Sequence, residues 1–229
     1  MNNVMKTLVL AGVLASGTGV EAQAASITYL LNQSNIDAQM PDGNPYATVT
    51  IQDGLTYGSD TNAVKFTVDI INSAFNAGSN FGMQEFVFNL AAGAPTVSDS
   101  NIVGPTGWTG NIAPPPNQFD GFGRFGGSIS TTGTTRQDPL EFWITGVTGD
   151  SIASYAAPST NNAAQGNAWF GLHITGFTIP NSSVTSGMFG GGNGATGPQQ
   201  IPGVPVPAAL WLFGSAIAGV ASLGRRKKA

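Results

Sequence analysis

A single histidine, His173, must carry every mechanism in this chain that needs an imidazole, and there is no cysteine. That inventory excludes multi-histidine or Cys-ligated zinc, thiolate nucleophiles, iron–sulfur clusters and disulfides. The sequence also lacks a Gly-x-Ser-x-Gly elbow, a His-Glu-x-x-His pair and a Gly-x-x-x-x-Gly-Lys phosphate loop. By strand alternation His173 shares a face with Trp169, Gly171, Thr175 and Phe177, and reads as a sheet-face histidine.

Carboxylates are the remaining reactive groups. Glycoside hydrolysis needs two acids held a fixed distance apart. Glu85 and Glu141 fall in segments with strand character and Asp120, Asp138 and Asp150 fall near loops, but no spacing singles out a pair. The expectation is a protein that is not an enzyme and has no catalytic residues. Calcium, which asks only for oxygen ligands, is a weak expectation at Asp37, Asp42 and Asn44. Their spacing around Pro41-Asp-Gly-Asn-Pro45 misses the Asp-x-Asp/Asn-x-Asp/Asn-Gly loop and reads as a turn. No other metal or cofactor is expected.

Binding without catalysis is the other chemistry on offer. Trp108, Trp143 and Trp169 would make a sugar-stacking surface if they shared an exposed face. The segment from Asn101 to Thr135 places Trp108, Phe119, Phe122 and Phe125 among glycines and Pro114–Pro116. It reads as a long loop whose aromatics either stack on sugars or plug one end of the fold, with the plug favoured.

Charge narrows the partners. Between Ser26 and Val204 only Lys65, Arg124 and Arg136 stand against eleven acidic residues, a net of −8. Such a surface repels phosphate backbones, so nucleic acid is excluded as a partner. Charged residues are only 9% of the chain, while Gly, Ser, Thr and Asn are abundant, a composition that favours turns and strands over helices.

The elements that would position these groups follow from period-two alternation. In Ala63–Ile71, Val64, Phe66, Val68 and Ile70 point one way and Lys65, Thr67 and Asp69 the other. Tyr46–Gln52 repeats the pattern with Val49 and Ile51 inward, and further strands fit 26–32, 84–90, 140–145 and 168–175. No middle segment shows a capped 3.6-residue period. The fold class expected is all-β, an antiparallel two-sheet sandwich of jelly-roll or immunoglobulin-like type, with a closed barrel as the alternative.

Both ends differ from this middle. Met1–Lys6 is a polar start with one positive charge, followed by the apolar run from Thr7 to Ala15. Small residues then lead to Ala22-Gln23-Ala24, the small-x-small pattern cut by signal peptidase, with cleavage expected after Ala24. An uncleaved anchor fits less well, because the run is well short of the roughly 20 residues a spanning helix needs.

At the other end, Val204-Pro205-Val206-Pro207 precedes an uncharged stretch over 208–224 and then Arg225, Arg226, Lys227 and Lys228. As a helix that stretch spans about 26 Å, close to the thickness of a hydrocarbon core. The terminal cations would stay cytoplasmic and Trp211 would sit at the outer interface. The small residues Gly214 and Ser215 either pack against a partner helix or keep a processed tail weakly hydrophobic, the latter favoured.

The order Val204-Pro-Val-Pro-Ala-Ala-Leu-Trp-Leu-Phe-Gly-Ser215, apolar helix and terminal Arg-Arg-Lys-Lys resembles the PEP-CTERM sorting signal. Val206 stands where the family's name motif has glutamate. The resemblance implies a Gram-negative exported protein handled by signal peptidase and then by a membrane-embedded exosortase. It passes through an inner-membrane intermediate to the cell surface or an exopolysaccharide matrix. The implied role is structural or adhesive. A carbohydrate-binding module is the alternative, and a secreted hydrolase a more distant one. The domain map expected is a signal peptide over 1–24, an exported β-sandwich over 25–186, a Gly/Pro-rich linker over 187–203 and a sorting tail over 204–229.

Overall fold

The computed structural model describes residues 24–161, 163–191 and 200–201. The signal segment before Ala24 and the sorting tail with its helix over 208–224 lie outside the described residues.

Alternation places the strands where the side-chain pattern requires. In chain order they are β1 (Ser26–Leu31), β2 (Gln33–Ser34), β3 (Ala47–Tyr57), β4 (Asp60–Ile70), β5 (Asn76–Phe88), β6 (Ile102–Val103), β7 (Trp108–Phe119), β8 (Gly123–Thr131), β9 (Leu140–Ile144), β10 (Phe170–Thr178), β11 (Ser186–Gly191) and β12 (Gln200–Ile201). The first sheet has the order β12-β1-β3-β4-β9-β6 and the second β2-β11-β10-β5-β8-β7. Every pairing within them is antiparallel. The described residues are therefore all-β, with two antiparallel sheets whose apolar faces meet, as in a sandwich.

β4 shows how the pattern becomes packing. Val64, Phe66, Val68 and Ile70 are buried, while Lys65, Thr67 and Asp69 face outward. On its neighbour β9, Leu140, Phe142 and Ile144 are buried and Glu141 and Trp143 alternate with them. Phe66 stacks on Phe142 at 4.7 Å and 9°, and meets Phe88 of the opposite sheet at 5.8 Å and Tyr155 edge-on at 4.9 Å. Each such ring contributes about 1.5–3 kcal/mol by burial. Each aromatic pair adds roughly 0.5–1.5 kcal/mol.

Two expectations are corrected. The segment 101–135, read as a long loop, is largely the antiparallel hairpin β7–β8, paired from Trp108↔Thr131 to Phe119↔Gly123. Glycine and proline hid its alternation: β8 carries three glycines among nine residues. Its aromatics are buried, but they do not close an end of the sandwich. Phe119, Phe122 and Phe125 pack with Val87 and Ala168 in a cluster separate from the main core, whereas Trp108 joins that core. Val87 alternates with the core residues Phe86 and Phe88, so this cluster covers the outer face of the second sheet.

The boundary at 186 is also displaced. β11 pairs with β10 from Thr175↔Ser186 to Phe170↔Gly191 and buries Phe189 completely, inside the stretch read as linker. Gly190 is glycine because the chain passes close to a ring: a Cβ there would lie 2.6 Å from Phe122. Gln200 and Ile201 also pair, with Tyr29 and Thr28 of β1.

Candidate functional site

The outward side of the first sheet is polar. Its register sets Thr28, Thr50, Thr67 and Glu141 in one row across β1, β3, β4 and β9, and Ser26, Gln52, Lys65 and Trp143 in the next. Thr28 and Thr50 share a hydrogen bond of 2.9 Å, and Thr67 donates to Glu141 Oε1 at 3.5 Å. Lys65 Nζ donates to the same oxygen at 2.7 Å and lies 5.6 Å from the centre of the Trp143 ring. Lys65 thus holds both the carboxylate and the indole in place.

Tyr57 completes this end of the face. It closes β3 through the pair Tyr57↔Asp60, with Gly58 at φ +60° opening the two-residue loop, as a type II′ hairpin turn requires. Its ring lies 5.0 Å from Trp143 at an angle of 40°. At 39% exposure it is the exposed large hydrophobic residue among those described. The two rings line an open groove of about 410 Å³ together with Val103–Pro105, Gln137, Pro139 and Glu141. That size falls in the range of ligand sites, and two rings beside convergent polar groups is their usual make-up.

The three tryptophans expected as a stacking surface do not share a face. Trp108 is 8% exposed in the main core, its Nε1 donating to the Thr135 carbonyl at 2.9 Å. Trp169, half-buried ahead of β10, packs on the core beside Tyr29 with its Nε1 buried and unpartnered. Trp143 alone of the three belongs to the groove. Burial of apolar surface decided the other two.

Several carboxylates accept hydrogen bonds that fix turns and strands. Asp138 accepts from Ile70 N and Asn72 Nδ2 at 2.9 and 3.0 Å, and Asp120 from Asn35 Nδ2 at 2.9 Å. Asp69, raised by partial burial and by the charge of Asp138, lies against that residue rather than facing it across a cleft. Asp150 is 5% exposed and takes the Tyr155 hydroxyl on Oδ2 at 2.6 Å. Glu85 is pushed up by burial and pairs in register with His173 on β10 and Ser130 on β8. His173 is lowered by burial and by the Arg136 charge.

At the calcium candidate, Asp42 Oδ1 accepts the Ser34 N–H at 2.9 Å and Asn44 Nδ2 donates to Pro41 O at 3.3 Å, so these side chains close a turn. Burial and then the Asp37 charge raise Asp42, while the Ser34 bond lowers it. Among the described residues no three His, Asp or Glu side chains gather in a group that could hold a metal. The signal-cleavage residue Ala22 and the sorting residues Val204–Pro207, Trp211, Gly214 and Arg225–Lys228 lie outside the described residues.

Sequence reasoning missed Tyr57 and Gln137. The available signal was the Tyr57-Gly58-Ser59-Asp60 hairpin turn, which ends the β3 alternation with an aromatic beside the turn glycine. Among the described residues no helix is long and apolar enough to cross a membrane. Compared with known protein families, with curated proteins and with solved structures, the chain matches none, so the reading of its function rests on its own residues.

Proposed function

We propose that this chain is an exported surface or extracellular-matrix protein with a structural or adhesive role. Signal peptidase removes residues 1–24, and an exosortase-type system handles the tail. The observation that carries this reading is the ordered C-terminus: Val204-Pro-Val-Pro207, an uncharged 17-residue stretch over 208–224, then Arg225–Lys228. Its charge asymmetry holds the end in the cytoplasm while the domain lies outside. A cysteine-free domain of net charge −8 suits a crowded extracellular setting, where net charge keeps copies apart. Its carboxylates act as hydrogen-bond acceptors for turns and strands, which supports a non-enzymatic role.

The test is the fate of the tail. The wild-type protein should be recovered at the cell surface or in the medium. The Pro205→Ala, Pro207→Ala double variant should accumulate in the membrane fraction with its C-terminus attached. Identical distribution of the two would remove the sorting reading. The carbohydrate-binding alternative gains a specific observation in the Tyr57–Trp143 groove.

A further inference from the structure

We propose that the groove beside Tyr57 and Trp143 binds a segment of a neutral polysaccharide, with the two rings stacking on sugar C–H faces. Glu141 and Gln137 would take the hydroxyls. The inference deepens the adhesive reading above and rests on it for the polymer's presence outside the cell.

Four features select this occupant. The tilted rings, 5.0 Å apart, offer adjoining faces rather than one enclosed slot, which fits a chain passing over them better than a small molecule buried between them. The groove is open and lined by Gln137, Pro139 and Glu141 as well as the two rings, so acceptors and an amide donor accompany the aromatic faces. Lys65 and Thr67 both converge on Oε1 of Glu141, which leaves Oε2 of this half-exposed side chain as an acceptor for a sugar hydroxyl. Beyond the rings the row Thr28–Thr50–Thr67 continues the face with hydroxyls instead of charges. Neutrality follows from the same residues. Lys65 is spent on Glu141, and the exported part carries −8, so an acidic polymer meets no free cation in the groove and a repelling field around it.

The whole protein as recovered from cells would be run by affinity electrophoresis. Native gels would contain galactomannan, xyloglucan or dextran, each separately, or alginate as the acidic comparison. At least one neutral polymer should retard it and alginate should not. Tyr57→Ala and Trp143→Ala should each weaken that retardation at least tenfold, while Tyr57→Phe and Trp169→Phe keep it. Tyr57 is exposed at 39%, so Tyr57→Ala decides the matter even if Trp143→Ala unfolds. Retardation by none of the neutral polymers, equal retardation by alginate, or retardation unchanged in Tyr57→Ala would overturn the proposal. So would sedimentation showing that Tyr57→Ala dissociates a dimer, which would assign the face to a second copy of the chain. Correct processing without retardation removes the groove claim alone, and retardation of an unprocessed chain removes the sorting claim alone.

Discussion

Tyr155 donates its hydroxyl to Asp150 where both are buried. Burial raises Asp150 above its ordinary 3.8 even though Tyr155, Ser154 and Ser151 all lower it. The native state therefore holds that proton more readily than the unfolded chain does. Stability falls as pH rises from the ordinary value through the raised one and is constant above it. Tyr155→Phe removes a hydrogen bond to a buried carboxylate and should cost about 1.5–3 kcal/mol in denaturant titrations near neutral pH.

His173 has the opposite sign. Burial and then Arg136 hold it below 6.5, so the native state resists its protonation. Its contribution is complete above 6.5 and is lost as pH falls through the lowered native value. Glu85 and Met188 flank it in register, and Glu85, raised by burial, offsets part of that loss by taking a proton more readily in the native state. His173→Gln should reduce the drop in denaturation midpoint between about pH 7.5 and about pH 5.5. An unchanged drop would place the acid-sensitive group elsewhere.

At the scale of elements, β4 and β9 supply the first sheet's share of the aromatic cluster at the core. Phe66→Ala should cost about 3–5 kcal/mol, because the ring sits against Phe142, Phe88 and Tyr155 with no exposed edge. Lys65→Ala, one residue away on the outer face, should cost no more than about 1 kcal/mol, since its partner Glu141 is half-exposed. β4 was legible in the sequence because one face is all aliphatic or aromatic and the other all polar. β7, β8 and β11 were not. Their glycines replace the side chains that would reveal alternation, and those glycines exist because neighbouring residues press close, a tertiary fact invisible to a local pattern. The same limit hid the groove: Tyr57 and Trp143 are 86 positions apart and meet only through the β3–β4–β9 register. A chain ending at Ser186 tests the revised boundary. It loses five of the six pairs of the β10–β11 ladder and the buried Phe189 and should fail to fold, whereas a chain ending at Gly203 should melt cooperatively.

At the scale of the molecule, two antiparallel sheets enclose an aromatic core without a disulfide, and the Tyr57–Trp143 groove opens on the first sheet. The proposal of export and sorting comes from linear order alone: charge, apolar length, small residues, prolines, terminal cations. The groove proposed to bind sugar has no such linear signature, because its residues are brought together by strand pairing. The central claim is that both ends are removed on the way out, and intact mass of the protein recovered outside the cell tests it most directly. The expected mass lacks residues 1–24 and the tail after about Pro207. A mass that still includes Arg225–Lys228 would contradict it.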